Sequence, residues 1–160
     1  MLLAALFLIP SILHPAEPTM PFYDVMKREH KEQHVWQVPI NKFKTNNEVV
    51  EIEAVNAYWN HTISYRINPD YWQTPEQTFE RRTGNCKDYA IAKYYSLRHL
   101  GIPIKDLKFT VVLWDNQWHA VLIADGLLLD SMTDRIRPIS EVDYYDPAYS
   151  INENSFWMTE

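Results

Sequence analysis

A cysteine, a histidine and an aspartate stand in this chain where they could act together on an acyl group. Cys86 is the only cysteine of the 160 residues and lies in the run RRTGNCKDYA, Arg81 to Ala90. Asn85 is a good helix N-cap, and Asp88 falls at the third helical position, where a carboxylate is favoured. A cysteine in a first helical turn meets free N–H groups and the positive end of the helix dipole, which favour the thiolate, the reactive form. A thiolate that attacks an acyl carbon also needs a base, and the base needs an orienting partner. Without them Cys86 would be a small buried apolar residue.

The base and its partner follow from one turn. Asp125-Gly126 is a strong two-residue hairpin signal, so Ala124 pairs with Leu127, and counting back places Asp130 opposite Val121. His119 shares a strand face with Val121, because side chains alternate with a period of two. His119 and Asp130 are therefore diagonal neighbours, roughly 7–8 Å apart at Cα and within side-chain reach. Asp134 satisfies the same parity on the other diagonal; it lies nearer the end of the strand and ranks second. In the expected chemistry His119 takes the thiol proton and Asp130 fixes the imidazole tautomer. The Cys86 backbone N–H, pointing out of the helix start, is the expected oxyanion donor. Asn85 supports that loop, and Trp72 or Tyr65 is a candidate side-chain donor.

The elements that must hold these residues are legible from periodicity. A helix is predicted over residues 48–59, capped by Asn46 or Asn47, with Ile52, Val55, Tyr58 and Trp59 at helical spacing. Thr74, Pro75 and Gln77 form a capping box for a second helix that ends by Gly84. From Cys86 to Leu100 apolar and aromatic residues cover nearly the whole circumference, the pattern of a buried central helix. Residues 101–103, Gly-Ile-Pro, end it. The period then changes to two, and residues 108–114, 118–124 and 127–131 read as strands. After Ser131 the chain reads as irregular, with a last strand near Tyr149 to Asn152. His30 and His34 stand four apart, but Lys31 occupies the place a zinc-binding HExxH pattern gives to glutamate, so they read as a solvated helix face.

Hydrophobic residues make up 46% and aromatics 14% of the chain, a globular composition. The net charge of −6 offers little phosphate neutralisation, which argues against nucleic acid as a partner. The run from Leu2 to Leu13 is broken by Pro10 and Ser11, too short to span a bilayer, and reads as the apolar region of a secretory signal although no Lys or Arg precedes it. The expected organisation is a signal segment over 1–16, a polar arm over 17–44 and one domain over 45–160. In an oxidising compartment a lone cysteine has no internal disulfide partner, which makes it a candidate reactive thiol.

The stretches TPEQTFERRTGNCKDYAIAKYYSLRHLGIP, WHAVLIADGLLLDSMTDRIRP and YSINENSFW resemble the bacterial transglutaminase-like cysteine proteinases, the periplasmic LapG-type proteases, over about Val49 to Trp157. The resemblance implies an α+β, papain-like fold, with a central helix carrying Cys86 packed on an antiparallel sheet, and a triad of Cys86, His119 and Asp130. It implies a periplasmic or secreted cysteine endopeptidase that clips a protein substrate such as a surface adhesin, a role in releasing biofilm cells, and an inner-membrane receptor as partner. Two alternatives stand beside hydrolysis: transfer of the acyl group to an amine, and a catalytically silent module that binds a surface protein. The chain departs from the family in one respect. The family flanks its cysteine with acidic residues that help bind calcium, and here Asn85 and Lys87 stand in those places. No cofactor and no metal site is therefore expected, with Lys87 pairing with a nearby carboxylate in place of the ion.

Overall fold

The computed structural model describes residues 21–67 and 71–158. The expected signal segment lies outside the described residues. Among the described residues α-helices occupy Pro21–Glu29 (α1), Gln37–Ile40 (α2), Glu48–Thr62 (α3), Pro75–Arg81 (α4) and Cys86–His99 (α5). The strands are Ser64–Tyr65 (β1), Thr83–Gly84 (β2), Leu107–Trp114 (β3), Gln117–Ala124 (β4), Leu127–Asp130 (β5), Thr133–Pro138 (β6), Asp146–Ile151 (β7) and Phe156–Met158 (β8). β3 to β8 form one antiparallel sheet in the order β6-β5-β4-β3-β7-β8, and β1 and β2 make a short parallel pair beside it. The fold is α+β, as the sequence pattern indicates.

α5 is the central element. Its residues from Lys87 to Leu97 are all buried, as an all-round apolar helix should be. One side packs on β3 and β4 through Phe109, Ala120 and Leu122, and another on α3 through Ile52, Val55 and Trp59. Two hydrogen bonds tie the helices further: Trp59 Nε1 donates to Ser96 Oγ at 2.8 Å, and the Tyr89 hydroxyl donates to the Ile63 carbonyl at 2.7 Å. α3 runs three residues past the predicted end at Trp59, to Thr62, and its N-terminus is capped by Asn47 Oδ1, which accepts from Val49 and Val50. The capping box of Thr74 and Gln77 is present as read from the sequence, and Arg82 in the left-handed conformation terminates α4.

Residues 21–43, expected as a polar arm, contribute Phe22, Val25, Trp36 and Ile40 to the core. Phe22 and Val25 lie one turn apart on α1 among charged neighbours, an apolar stripe too short to stand out in the sequence. His30 and His34 do not share a helix face; α1 stops at Glu29, and His34 Nε2 turns back to bond the Glu29 carbonyl at 2.8 Å. The tail after Ser131 is more regular than expected, since β6 and β8 extend the sheet at its two edges. β6 reads TDRIRP and is largely exposed, so it lacks the apolar alternation that marks a half-buried strand.

Candidate active site

Asp125 and Gly126 have φ of 47° and 75°, the two positive values that a tight two-residue hairpin turn requires. Ala124 faces Leu127, Ile123 faces Leu128 and Leu122 faces Leu129, the register expected from the sequence. Asp130 follows directly, at the end of β5. His119 Nε2 bonds Asp130 Oδ1 at 2.9 Å, and both residues are buried. Asp134, the second-ranked carboxylate, lies elsewhere: it bonds His61 Nε2 at 2.5 Å and accepts from Asn60 Nδ2 at 3.0 Å.

Cys86 opens α5 and is half-buried. The His119 side chain and the Ala120 backbone N–H are the groups that act on its sulfur. With Nε2 engaged by Asp130, Nδ1 is the ring nitrogen left for Cys86. Burial pushes the thiol up, but the hydrogen bonds from His119 and Ala120 and the nearby charges of His119 and Lys87 outweigh it, and the thiol ends below its ordinary value. His119 moves the opposite way. Burial alone would lower it, yet its bonds to Asp130 and Cys86 and the charges of both raise it to about 9. Burial also raises Asp130, and the bonds from His119, Tyr145 and the Met132 N–H overcome this and hold the carboxyl below its usual range. A thiolate beside an imidazolium is the state these shifts favour, and it is a state that can attack an acyl carbon.

Sequence reasoning missed Tyr145. Its hydroxyl donates to Asp130 Oδ2, its ring lies 5.7 Å from that of His119, and it is buried. It comes from the segment between β6 and β7, and no local spacing links it to the hairpin. Of the two candidate side-chain donors, Tyr65 is the one at the thiol: burial raises its hydroxyl, and Cys86 is the neighbouring group that acts on it. Trp72 sits one layer away, with its ring 5.5 Å from that of Phe109 and 6.0 Å from the Lys87 ammonium.

Asn85 caps α5, and its backbone N–H donates to Asp88 Oδ2 at 3.0 Å. Asp88 is fully buried and also accepts from the Gln73 backbone N–H at 3.0 Å and from Gln73 Nε2 at 3.1 Å. Lys87 is buried too; its ammonium donates to Asn85 Oδ1 at 2.8 Å and lies 4.0 Å from Asp88 Oδ2. Calcium takes roughly six to eight oxygen ligands, mainly carboxylates and carbonyls. Beside Cys86 the side-chain oxygens of Asn85 and Asp88 accept from N–H groups, and the Lys87 ammonium stands among them. Among the described residues no group of three or more His, Cys, Asp or Glu is placed to hold a metal ion.

The family model described as bacterial transglutaminase-like cysteine proteinase matches residues 13–159. LapG of Legionella pneumophila in its calcium-bound form is similar in structure, with a TM-score of 0.71 and 27% identity over 87% of this chain and 88% of that one. Its EGTA-treated form gives a TM-score of 0.72 at 27% identity, over 90% and 88% of the two chains. A serine/threonine-protein kinase-like protein of Arabidopsis thaliana is 29% identical over 107 residues, 61% of this chain and 31% of that protein. The chain thus spans about a third of that curated relative. Its three glycines, Gly84, Gly101 and Gly126, are too far apart for a glycine-rich phosphate loop, so no kinase reading follows.

Proposed function

The chain belongs to the bacterial transglutaminase-like cysteine proteinases, and from that premise we propose that it cleaves an exported protein through a triad of Cys86, His119 and Asp130. The observation that supports this reading is the 2.9 Å bond from the His119 ring to the buried Asp130 carboxylate, with Cys86 at the start of α5 lowered by the same His119. The thiolate attacks a peptide carbonyl, and the Cys86 N–H, joined by the Tyr65 hydroxyl, meets the developing oxyanion. The His119 imidazolium protonates the leaving amine, which leaves an acyl-enzyme. His119 then takes a proton from water, and the hydroxide so formed releases the acid.

Exposed Tyr65, Trp114, Trp118, Met132 and Tyr144 are near the triad in sequence or space and suit an extended peptide with apolar side chains. A surface adhesin fits such a substrate, and a periplasmic or secreted location would bring the enzyme to it. An inner-membrane receptor is a fitting regulatory partner in that location. The enzyme works without calcium, with the Lys87 ammonium and Asp88 carboxylate tying the Cys86 loop in its place. The test is to incubate the protein with a mixture of exported proteins and map new termini. New termini that vanish with Cys86→Ala support the reading; termini that persist in that variant, or none with the parent protein, overturn it. Recovery of amine-linked products without new termini would assign transamidation instead.

A further inference from the structure

Lys93 lies on α5 about two turns after Cys86 and is 1% exposed. Lysine is almost never fully buried unless it is paired, and burying an ammonium is costly. Burial lowers this one to about 7, against the opposing charges of Asp130 and Asp134. Its partners account for its position. Nζ donates to Asn60 Oδ1 at 2.7 Å and to the main-chain oxygen of Asp130 at 3.0 Å, and it stands 5.6 Å from the centre of the Tyr89 ring. Asn60, on α3, donates to the same Asp130 oxygen at 3.0 Å and to the Thr133 oxygen at 3.0 Å. Asn56, one turn earlier, donates to the Thr133 and Asp134 oxygens at 3.0 and 3.1 Å.

Asp130 needs such support because the sheet gives it little. The β4–β5 ladder ends at Leu122 and Leu129, one residue short of it. The β5–β6 ladder shifts register between Leu128 and Asp130. Asp130 pairs with Thr133 beyond that shift, and two helices reach across and hold the main chain of both residues at this irregularity.

We propose that Lys93, together with Asn60, is a positioning residue for catalysis: by binding the Asp130 main-chain oxygen it aims the Asp130 carboxylate at His119. This rests on the triad reading and deepens it. The ammonium also favours the ionised carboxylate, so its loss weakens the support for the His119 imidazolium and, through it, the thiolate.

Lys93→Met keeps most of the side-chain volume and removes the donor. The measurement is the rate at which iodoacetamide alkylates Cys86 in the folded protein as a function of pH, with the melting temperature recorded alongside. The parent protein is expected to show a midpoint well below that of a free thiol, about 8.5. In Lys93→Met the midpoint should rise by about one unit, with about tenfold less thiolate at pH 6. Peptidase kcat should fall while KM holds. Asn60→Ala, at a less buried position, should shift the midpoint in the same direction, and the double variant should lose less than the sum because both groups serve one oxygen. If Lys93→Met is too unstable to assay, Asn60→Ala decides alone. A folded variant with lowered melting temperature and an unshifted midpoint would reduce these residues to packing and overturn the proposal. A free-thiol midpoint in the parent protein would overturn the triad reading, and this one with it.

Discussion

Replacing Tyr145 with phenylalanine isolates one bond of the site. The ring would keep its packing against His119, Trp114 and Tyr144, with centroids at 5.7, 6.3 and 4.6 Å. Only the hydroxyl is lost, and with it one donor to an Asp130 carboxylate that is 3% exposed. A hydrogen bond to a charged group contributes about 1.5–3 kcal/mol, so stability at neutral pH should fall by about that amount. In a domain of this size this corresponds to ~3–12 °C in melting temperature. Asp130 keeps its bonds from His119 and the Met132 N–H, so activity should fall by only about tenfold, the equivalent of one pKa unit of lost support. The pH dependence sharpens the test. The folded-state value of Asp130 is depressed, so its contribution is present above the unfolded value near 3.9 and is lost as pH falls through the folded one. Urea unfolding of parent and variant at neutral pH and near pH 3 should therefore show a deficit that shrinks with acidification, towards the ~1 kcal/mol of a neutral hydrogen bond. A deficit that stays constant with pH would mean that the hydroxyl does not serve the carboxylate, and would refute the reasoning.

Asp130→Asn should lower kcat/KM by up to about 10⁴-fold by disturbing the histidine tautomer, while Asp134→Asn, which touches His61 and Asn60 rather than His119, should leave it within about twofold; steady-state kinetics that reverse this order would displace Asp130 from the proposed triad. The rate should rise with pH as Cys86 loses its proton, below the ordinary thiol value, and fall again as the raised His119 loses its own at about 9; an acid limb at the ordinary thiol value would contradict the ion pair. Gly84→Ala would bring a Cβ within 2.8 Å of Asp88 Cβ, so denaturant unfolding should show a loss of about 1–3 kcal/mol from overpacking beneath the Cys86 loop. A calcium chelator should change neither activity nor melting temperature, because an ammonium stands beside Asp88; loss of activity on chelation, restored by added calcium, would refute that.

What the sequence made legible and what it concealed divide along physical lines. The pairing of His119 with Asp130 could be read because it depends on a two-residue turn and on the strand period, both local and both strict. The place of Cys86 could be read because caps and all-round apolarity mark the start and burial of α5 within a single segment. Tyr145 could not, since it reaches Asp130 from a separate segment, and a tyrosine in the run Asp143 to Asp146 differs in no local way from its neighbour Tyr144. β6 was hidden because an exposed edge strand need not alternate. Lys93 did leave a signal: it is the one charged residue between Tyr89 and Leu97, a stretch whose every side chain is buried. A charge in such a run must have a partner, although the sequence does not say where the partner lies.

These cases share a cause. Asp130 stands past the last β4–β5 pair, and its pairing with Thr133 of β6 follows a shift of register, so the sheet fixes it less firmly than its neighbours. Its carboxylate is then held by Tyr145 and the Met132 N–H, and its main chain by Lys93 and Asn60. These groups come from the turn itself, the segment before β7, α5 and α3, so the position of one aspartate depends on the packing of most of the domain. Lys93 and Cys86 share α5, and a shift of that helix would move the thiol and the support of the aspartate together. Their relative geometry is thus kept by one rigid element, while His119 on β4 is held between them. A site built this way should lose its low thiolate midpoint as soon as α5 loosens from the sheet, before the helix itself unfolds.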